Sequence, residues 1–265
     1  MPAPSRVGDI TIDRDTTSED LHTTTHTTTA DTDLLLIIVS IEGAETIENA
    51  TTWDGVEPGV IEIQTEALSN NECEFYIYGV VSPGAKTADF VTDFLANVNP
   101  YFVALINYTD VDTTDLATAV NLIDDVVNLT NQDPEDVTLS SGGSSGNTLV
   151  ACGSINRGLA DDSSSMSDSF VKYIDRDTNE PSQPTAGGPS DIQTVVGELL
   201  TGLPSGVTIT FGTGPDETSG VLIELVAAAA AGEDEELHAD RRSINNPLPS
   251  SGYYYGKAAK EELRA

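Results

Sequence analysis

The chain has 265 residues, with 44 acidic against 11 basic side chains and a formal net charge of −33. That length allows one or two domains with a real hydrophobic core, and no run of about 18 apolar residues offers a membrane-spanning helix. Phosphate recognition needs a basic footprint, so this charge argues against direct nucleic-acid binding.

The acid excess runs along the whole body, and only four of the basic residues are lysine. Self-repulsion on this scale strains a compact state in dilute buffer. In molar salt the Debye length falls to about 3 Å and the repulsion is screened. A halophilic setting is therefore expected. The first residues, Met-Pro-Ala-Pro-Ser-Arg followed by Asp9 and Asp13, lack the apolar core of a secretion signal, which predicts a chain made in the cytoplasm and either kept there or released by lysis. The sign reverses at the end. Residues 241–265 carry Arg241, Arg242, Lys257, Lys260 and Arg264 against Glu261 and Glu262. Gly252-Tyr253-Tyr254-Tyr255-Gly256 lies in the same stretch. Tyrosine buries its ring at interfaces while its hydroxyl stays hydrogen-bonded. Arg241, Arg242, Tyr253, Tyr254, Tyr255, Lys257 and Lys260 are thus the expected interface residues of a docking tail on an acidic partner.

The chain reads as β nearly throughout. A Thr-rich N-terminal segment, residues 1–30, predicts an extended arm or edge strand. Residues 34–41 are a continuous apolar run of strand length. Strand patterns follow at 60–66, 73–81, 87–95, 101–108, 136–140, 148–155, 207–211 and 221–227, with turn signals between them. The loop Ser-Gly-Gly-Ser-Ser-Gly at 141–146 looks like a hairpin connection. Helix signals are thin: a turn or two within 115–127, a short helix at 192–200, and a stretch at 227–237. Residues 156–191 form a long polar insert in which 170–174 reads as a strand for a sheet edge or a partner. No internal repeat of 20–50 residues is evident. The expected fold is all-β, an antiparallel β-sandwich body over 31–228. A partly helical or extended C-terminal tail would occupy 229–265.

Chemistry is sparse. His22 and His26 share one side of a strand through their even spacing, and surface polar roles are expected for them. Cys73 and Cys152 sit in apolar strands and read most simply as buried free thiols, with a single bridge between them as the alternative. No phosphate-binding loop, dinucleotide fingerprint or nucleophile elbow is present. With 44 acids, chance carboxylate pairs are unavoidable, so they are weak evidence for a hydrolase. Oxygen-rich loops suit a hard cation such as Ca²⁺ or Mg²⁺. The candidates are Asp110, Asp112 and Asp115, and then Asp175, Asp177 and Asn179. The second set begins like a helix–loop–helix calcium loop but has Glu180 and Ala186 where that motif needs Gly and Glu.

Asp33-Leu-Leu-Leu-Ile-Ile-Val-Ser-Ile, Thr52-Trp-Asp-Gly-Val, Glu74-Phe-Tyr-Ile-Tyr-Gly-Val-Val-Ser-Pro-Gly and Tyr108-Thr-Asp-Val-Asp-Thr-Thr-Asp follow one another along the chain. Thr148-Leu-Val-Ala-Cys-Gly-Ser and Gly220-Val-Leu-Ile-Glu-Leu-Val-Ala complete the set, which spans about residues 8–228. In this order the segments resemble β-sandwich modules of the jelly-roll kind found in tailed-virus virion proteins and large secreted bacterial proteins. The resemblance implies a jelly-roll-like sandwich in a virion or surface context, without catalytic activity. The expected role is a capsid decoration, turret or spike component of a tailed virus of halophilic archaea, assembled in the host cytoplasm. Its expected partners are sister copies, as a trimer or pentamer, and the major capsid protein or another virion protein. The alternatives are a module binding a host-surface glycan, S-layer or other receptor, and a hydrolase.

Overall fold

A computed structural model describes residues 2–15, 19–42, 51–64, 73–98, 101–132, 136–140, 142–157, 164–177, 191–200, 206–211 and 216–229. The chain divides into a unit Met1–Ala229 and a unit Ala230–Ala265. The second unit, with the whole predicted tail interface, lies outside the described residues.

The described part of the first unit is antiparallel β-structure with a single helical turn. Its strands are β1 (Ser5–Arg6), β2 (Thr11–Asp15), β3 (Glu19–Thr28), β4 (Leu34–Glu42), β5 (Thr52–Trp53), β6 (Gly59–Gln64), β7 (Cys73–Val81), β8 (Lys86–Val98) and β9 (Tyr101–Thr109). After α1 (Leu116–Ala119) come β10 (Val120–Gln132), β11 (Asp136–Ser140), β12 (Thr148–Arg157), β13 (Ser165–Met166), β14 (Val171–Asp177), β15 (Asp191–Leu199), β16 (Gly206–Thr210) and β17 (Asp216–Leu225).

These strands make two sandwiches. In the first half, the sheet β1-β9-β4-β7-β6, with β2 also on β9, packs against β3-β8-β5; in the second, β10-β17-β12-β15-β14 packs against β11-β16-β13. The two halves repeat one pattern. If β2 to β9 and β10 to β17 are each numbered one to eight, both halves have sheets of order 1-8-3-6-5 and 2-7-4. The bulges agree too. The register slips between Val60 and Glu62 on β6, and between Lys172 and Ile174 on β14, at matching places in the two ladders. The repeat is over 100 residues long and leaves no short-period signal in the sequence.

Burial explains why the strands read as they do. Odd-numbered residues of β4 and β9, such as Leu35, Ile37, Val103 and Leu105, face the first outer sheet with Trp53, Phe90 and Phe94. Even-numbered ones, Leu34, Leu36, Ile38, Phe102 and Ala104, meet Val150, Cys152, Val196, Val221 and Ile223 of the second inner sheet. Val137, Leu139, Ile209 and Phe211 close the second sandwich. The order is therefore four layers, with both inner sheets buried on both faces. A strand buried on both faces has no polar side, so residues 34–39 and 41 are apolar and fully buried.

Two local expectations change, and a third, a helical turn within 115–127, holds. Residues 192–199 of the stretch expected as a short helix lie in β15, whose Ile192, Val195 and Val196 are fully buried between neighbouring strands. Sheet pairing on both sides overrides a weak helical preference there. The loop at 142–147 is no hairpin: β11 and β12, on either side of it, belong to different sheets. Within 115–127 one helical turn forms, capped by the Asp115 carboxylate accepting from the Thr118 amide at 2.8 Å, and then β10 begins. Residues 19–28 of the Thr-rich segment are the edge strand of an outer sheet, with His22, Thr24, His26 and Thr28 inward and Thr23, Thr25 and Thr27 outward. The Thr52-Trp-Asp-Gly-Val segment turns tightly: Asp54 and Gly55 have φ of 54° and 74°, and Trp53 bridges Val56. Two consecutive positive φ values mark a type I′ turn, the kind that Asp-Gly favours.

Candidate functional site

The two inner sheets leave a cleft at each side of their contact, and matching residues line both. The strand registers equate Tyr108 with Leu225, Ile61 with Tyr173, Gly79 with Glu198 and Arg6 with Val120. One cleft is thus polar where the other is apolar, at four positions out of four.

In the polar cleft, Arg6 on β1 crosses to the second half. Its Nε donates to Glu198 Oε1 at 2.8 Å, and its guanidinium lies 4.1 Å from the centre of the Tyr173 ring. Tyr108 donates to Glu198 Oε2 at 3.3 Å and shares a hydrogen bond with the Tyr173 hydroxyl at 2.9 Å. Glu198 is 3% exposed. Burial works against the Arg6 charge, but hydrogen bonding and attraction from Glu198 outweigh it, and its pKa rises. Burial pushes both tyrosine hydroxyls well above their ordinary value, so they remain neutral donors. The segment is held further by Thr148 Oγ1, which donates to Pro4 O at 2.5 Å. Replacing Arg6 by Ala leaves Glu198 buried with a neutral hydroxyl as its remaining described partner. Orphaning one member of a buried pair costs about 3–5 kcal/mol. Arg6 is one-third exposed, so water reaches the site and the lower end, about 3 kcal/mol, is expected in thermal melts.

In the apolar cleft, Leu116 of α1 seats over Gly59 and Gly79. A Cβ at either glycine would lie 2.3–2.5 Å from a Leu116 methyl carbon. Gly79 is therefore the notch that admits Leu116. Beside it a groove of about 440 Å³ is lined by Val60, Ile61, Leu116, Ala117, Val120, Asn121 and Leu122. Val60 and Leu122 are half-exposed there.

A second buried carboxylate, Glu224, organises the loop at 142–147. It accepts from Asn121 Nδ2 at 2.9 Å, Asn147 Nδ2 at 2.9 Å and the Ser144 amide. Burial alone would raise its pKa, and these donors hold it below the usual carboxylate range.

Among the predicted cation residues, Asp110, Asp112 and Asp115 take local backbone and capping roles. Asp110 has φ 62° and its carbonyl accepts from the Ala228 amide at 2.9 Å. The Asp112 carboxylate accepts from the Thr114 amide at 2.8 Å, and hydrogen bonds from the Thr114 hydroxyl and then this amide hold its pKa low. Asp115 caps α1. Asp175 and Asp177 lie in β14, paired with Val195 and Gln193, and Asn179 is outside the described residues. Among the described residues, no three His, Cys, Asp or Glu side chains gather as a metal ion would require.

His22 and His26 are interior, not surface, residues. His22 stacks on Tyr101 at 4.0 Å between ring centres. His26 is 2% exposed. The Asn107 amide donates to Thr27 O at 3.0 Å, which leaves its Oδ1 to accept from His26 Nε2 at 3.1 Å. His26 Nδ1 then accepts from the Thr11 hydroxyl at 2.7 Å. The inward half of the β3 alternation is polar because each such group finds a hydrogen-bond partner there. Burial lowers the His26 pKa, against opposing pulls from Asn107 and Asp9. The unfolded chain, with an imidazole pKa of about 6.5, then takes up the proton first. This contribution to stability is present above about pH 6.5 and is lost as pH falls below it. Melts at constant molar NaCl between pH 7.5 and 5.5 are expected to show that slope, and His26→Gln to flatten it. Cys152 is a buried free thiol whose pKa burial pushes far up, which makes it inert.

The polar cleft was missed at the sequence level because its members lie at 6, 108, 173 and 198. Only the buried fate of Glu198, an acid inside an apolar strand pattern, left a trace. No family model matches this chain, and no curated protein or solved structure matches it.

Proposed function

We propose that this protein is a virion structural component of a tailed virus of halophilic archaea, a capsid decoration, turret or spike protein that acts by assembly and surface display. The observation that carries the reading is the strand order. The orders 1-8-3-6 and 2-7-4 found in each half resemble those of jelly rolls, an architecture recurrent in viral capsid and lectin domains, and so support the reading. In each half the fifth strand pairs with the sixth and so extends the larger sheet. Two further features support the reading: the acid excess suits a surface bathed in brine, and the buried carboxylates Glu198 and Glu224 are saturated by structural partners. Neither is placed to act as a general acid or nucleophile.

The basic, tyrosine-rich residues 241–265 attach the protein to an acidic neighbour, and sister copies close into a trimer or pentamer. The glycan-binding alternative draws on lectin jelly rolls. It is weaker because the chain's one tryptophan, Trp53, is 2% exposed inside the first sandwich.

The test is made in molar NaCl. The full chain is expected to run as a closed oligomer by light scattering and to be labelled on intact particles by antibodies against it. A chain ending at Ala229 is expected to keep its fold and lose the particle. A monomeric full chain, with no label on particles, would sink the proposal.

A further inference from the structure

We infer that the contact between the two sandwiches is a dimer interface with two-fold character carried inside one chain, so that each half is the other's specific partner. A two-fold interface has two signatures. Its contacts come in reciprocal pairs, and equivalent residues meet at the axis. Both are present. β7 of the first half touches β17, and the counterpart pair β15 and β9 also touch; β4 touches β15 as its counterpart β12 touches β7. Ser40 and Ser154, equivalent by register, join their hydroxyls at 2.9 Å across the inner sheets. The segments leaving β9 and β17 run antiparallel, with Val111 bridged to Ala227. Reciprocal hydrogen bonds flank that bridge, from the Asp112 amide to Val226 O at 2.8 Å and from the Ala228 amide to Asp110 O at 2.9 Å.

The clefts make the pairing one-way. The first half against a copy of itself would set Arg6 opposite Gly79 in both clefts. The second half against itself would bury Glu198 opposite Val120 in both. Only first against second gives Arg6 its carboxylate and Gly79 its leucine. A buried charge without its partner is a penalty against wrong pairings, and so it confers specificity. Arg6 and Glu198 are the specificity-determining pair of this surface, and the partner it fits is a second copy of the same eight-stranded unit bearing the complementary residues.

The test keeps the full chain. Thr113 and Thr114 are exposed in the connection between halves, so a protease site is inserted between them and the folded protein is cut in molar NaCl. The two fragments are expected to stay together as one 1:1 particle by light scattering. In the cut protein, Arg6→Ala and the shape-conserving Glu198→Gln are each expected to weaken the association by at least about tenfold, while the uncut variants keep their mass. Ser40→Cys with Ser154→Cys, in a Cys152→Ala background, is expected to link the two fragments covalently. Fragments that separate or unfold on cutting would overturn the inference. So would an association indifferent to both substitutions, or a serine pair that fails to cross-link.

Discussion

Phe102→Ala is expected to destabilise the protein by about 3–5 kcal/mol while leaving its melt a single step. Phe102 is fully buried on the face of the first inner sheet that meets the second. Removing its ring costs the lost transfer energy and leaves a cavity between two sheets that cannot close on each other. A native state is worth about 5–15 kcal/mol in all, so this one change consumes a large share. The cavity belongs to both halves, so the whole transition shifts downward together. Phe211→Ala removes an equal ring from the outer core of the second sandwich. It weakens that half alone and is expected to split the melt into two steps. Calorimetry in molar NaCl checks both. Two steps for Phe102→Ala, or one for Phe211→Ala, would show that the shared layer does not couple the halves.

Lowering the salt is expected to have an effect as large as that of any single substitution. With 44 acids and 11 bases, at most a quarter of the carboxylates can find a cation within the chain. The described ion pairs are few, Arg6 with Glu198 and the exposed Lys86 with Asp54 at 3.0 Å. Dialysis from molar to 0.1 M salt lengthens the Debye length from about 3 Å to about 10 Å. Charges on neighbouring strands, which are then no longer screened from each other, repel across each outer face. Circular dichroism during dialysis is expected to show loss of the β signal, restored on returning to molar NaCl or KCl. A signal that persists unchanged at low salt would rule out this dependence.

Much of the architecture is legible in the residues themselves. The apolar run at 34–41 read as a strand, and it proves to be central in a sheet buried on both faces. The Thr-rich segment read as an arm or edge strand, and residues 19–28 are the edge of an outer sheet. Local stereochemistry decides these features, and it acts over a few residues. Which face of β3 would be buried was not legible, because threonine and histidine suit water and a satisfied interior equally well. His26 is interior only because Thr11 and Asn107, brought up by β2 and β9, supply its partners.

Neighbouring residues are enough to set the class of the chain: all-β segments of strand length, an acid-rich composition, and no local catalytic or phosphate-binding motif. That these strands close into two matching sandwiches, and that Arg6 meets Glu198 across 192 positions, emerges only from the folded chain. The difference is one of range. Strand periodicity and turn chemistry are written in neighbouring residues. Pairing between sheets depends on which distant side chains fill the same space, and one half can keep a glycine where the other keeps a glutamate without either showing it along the chain.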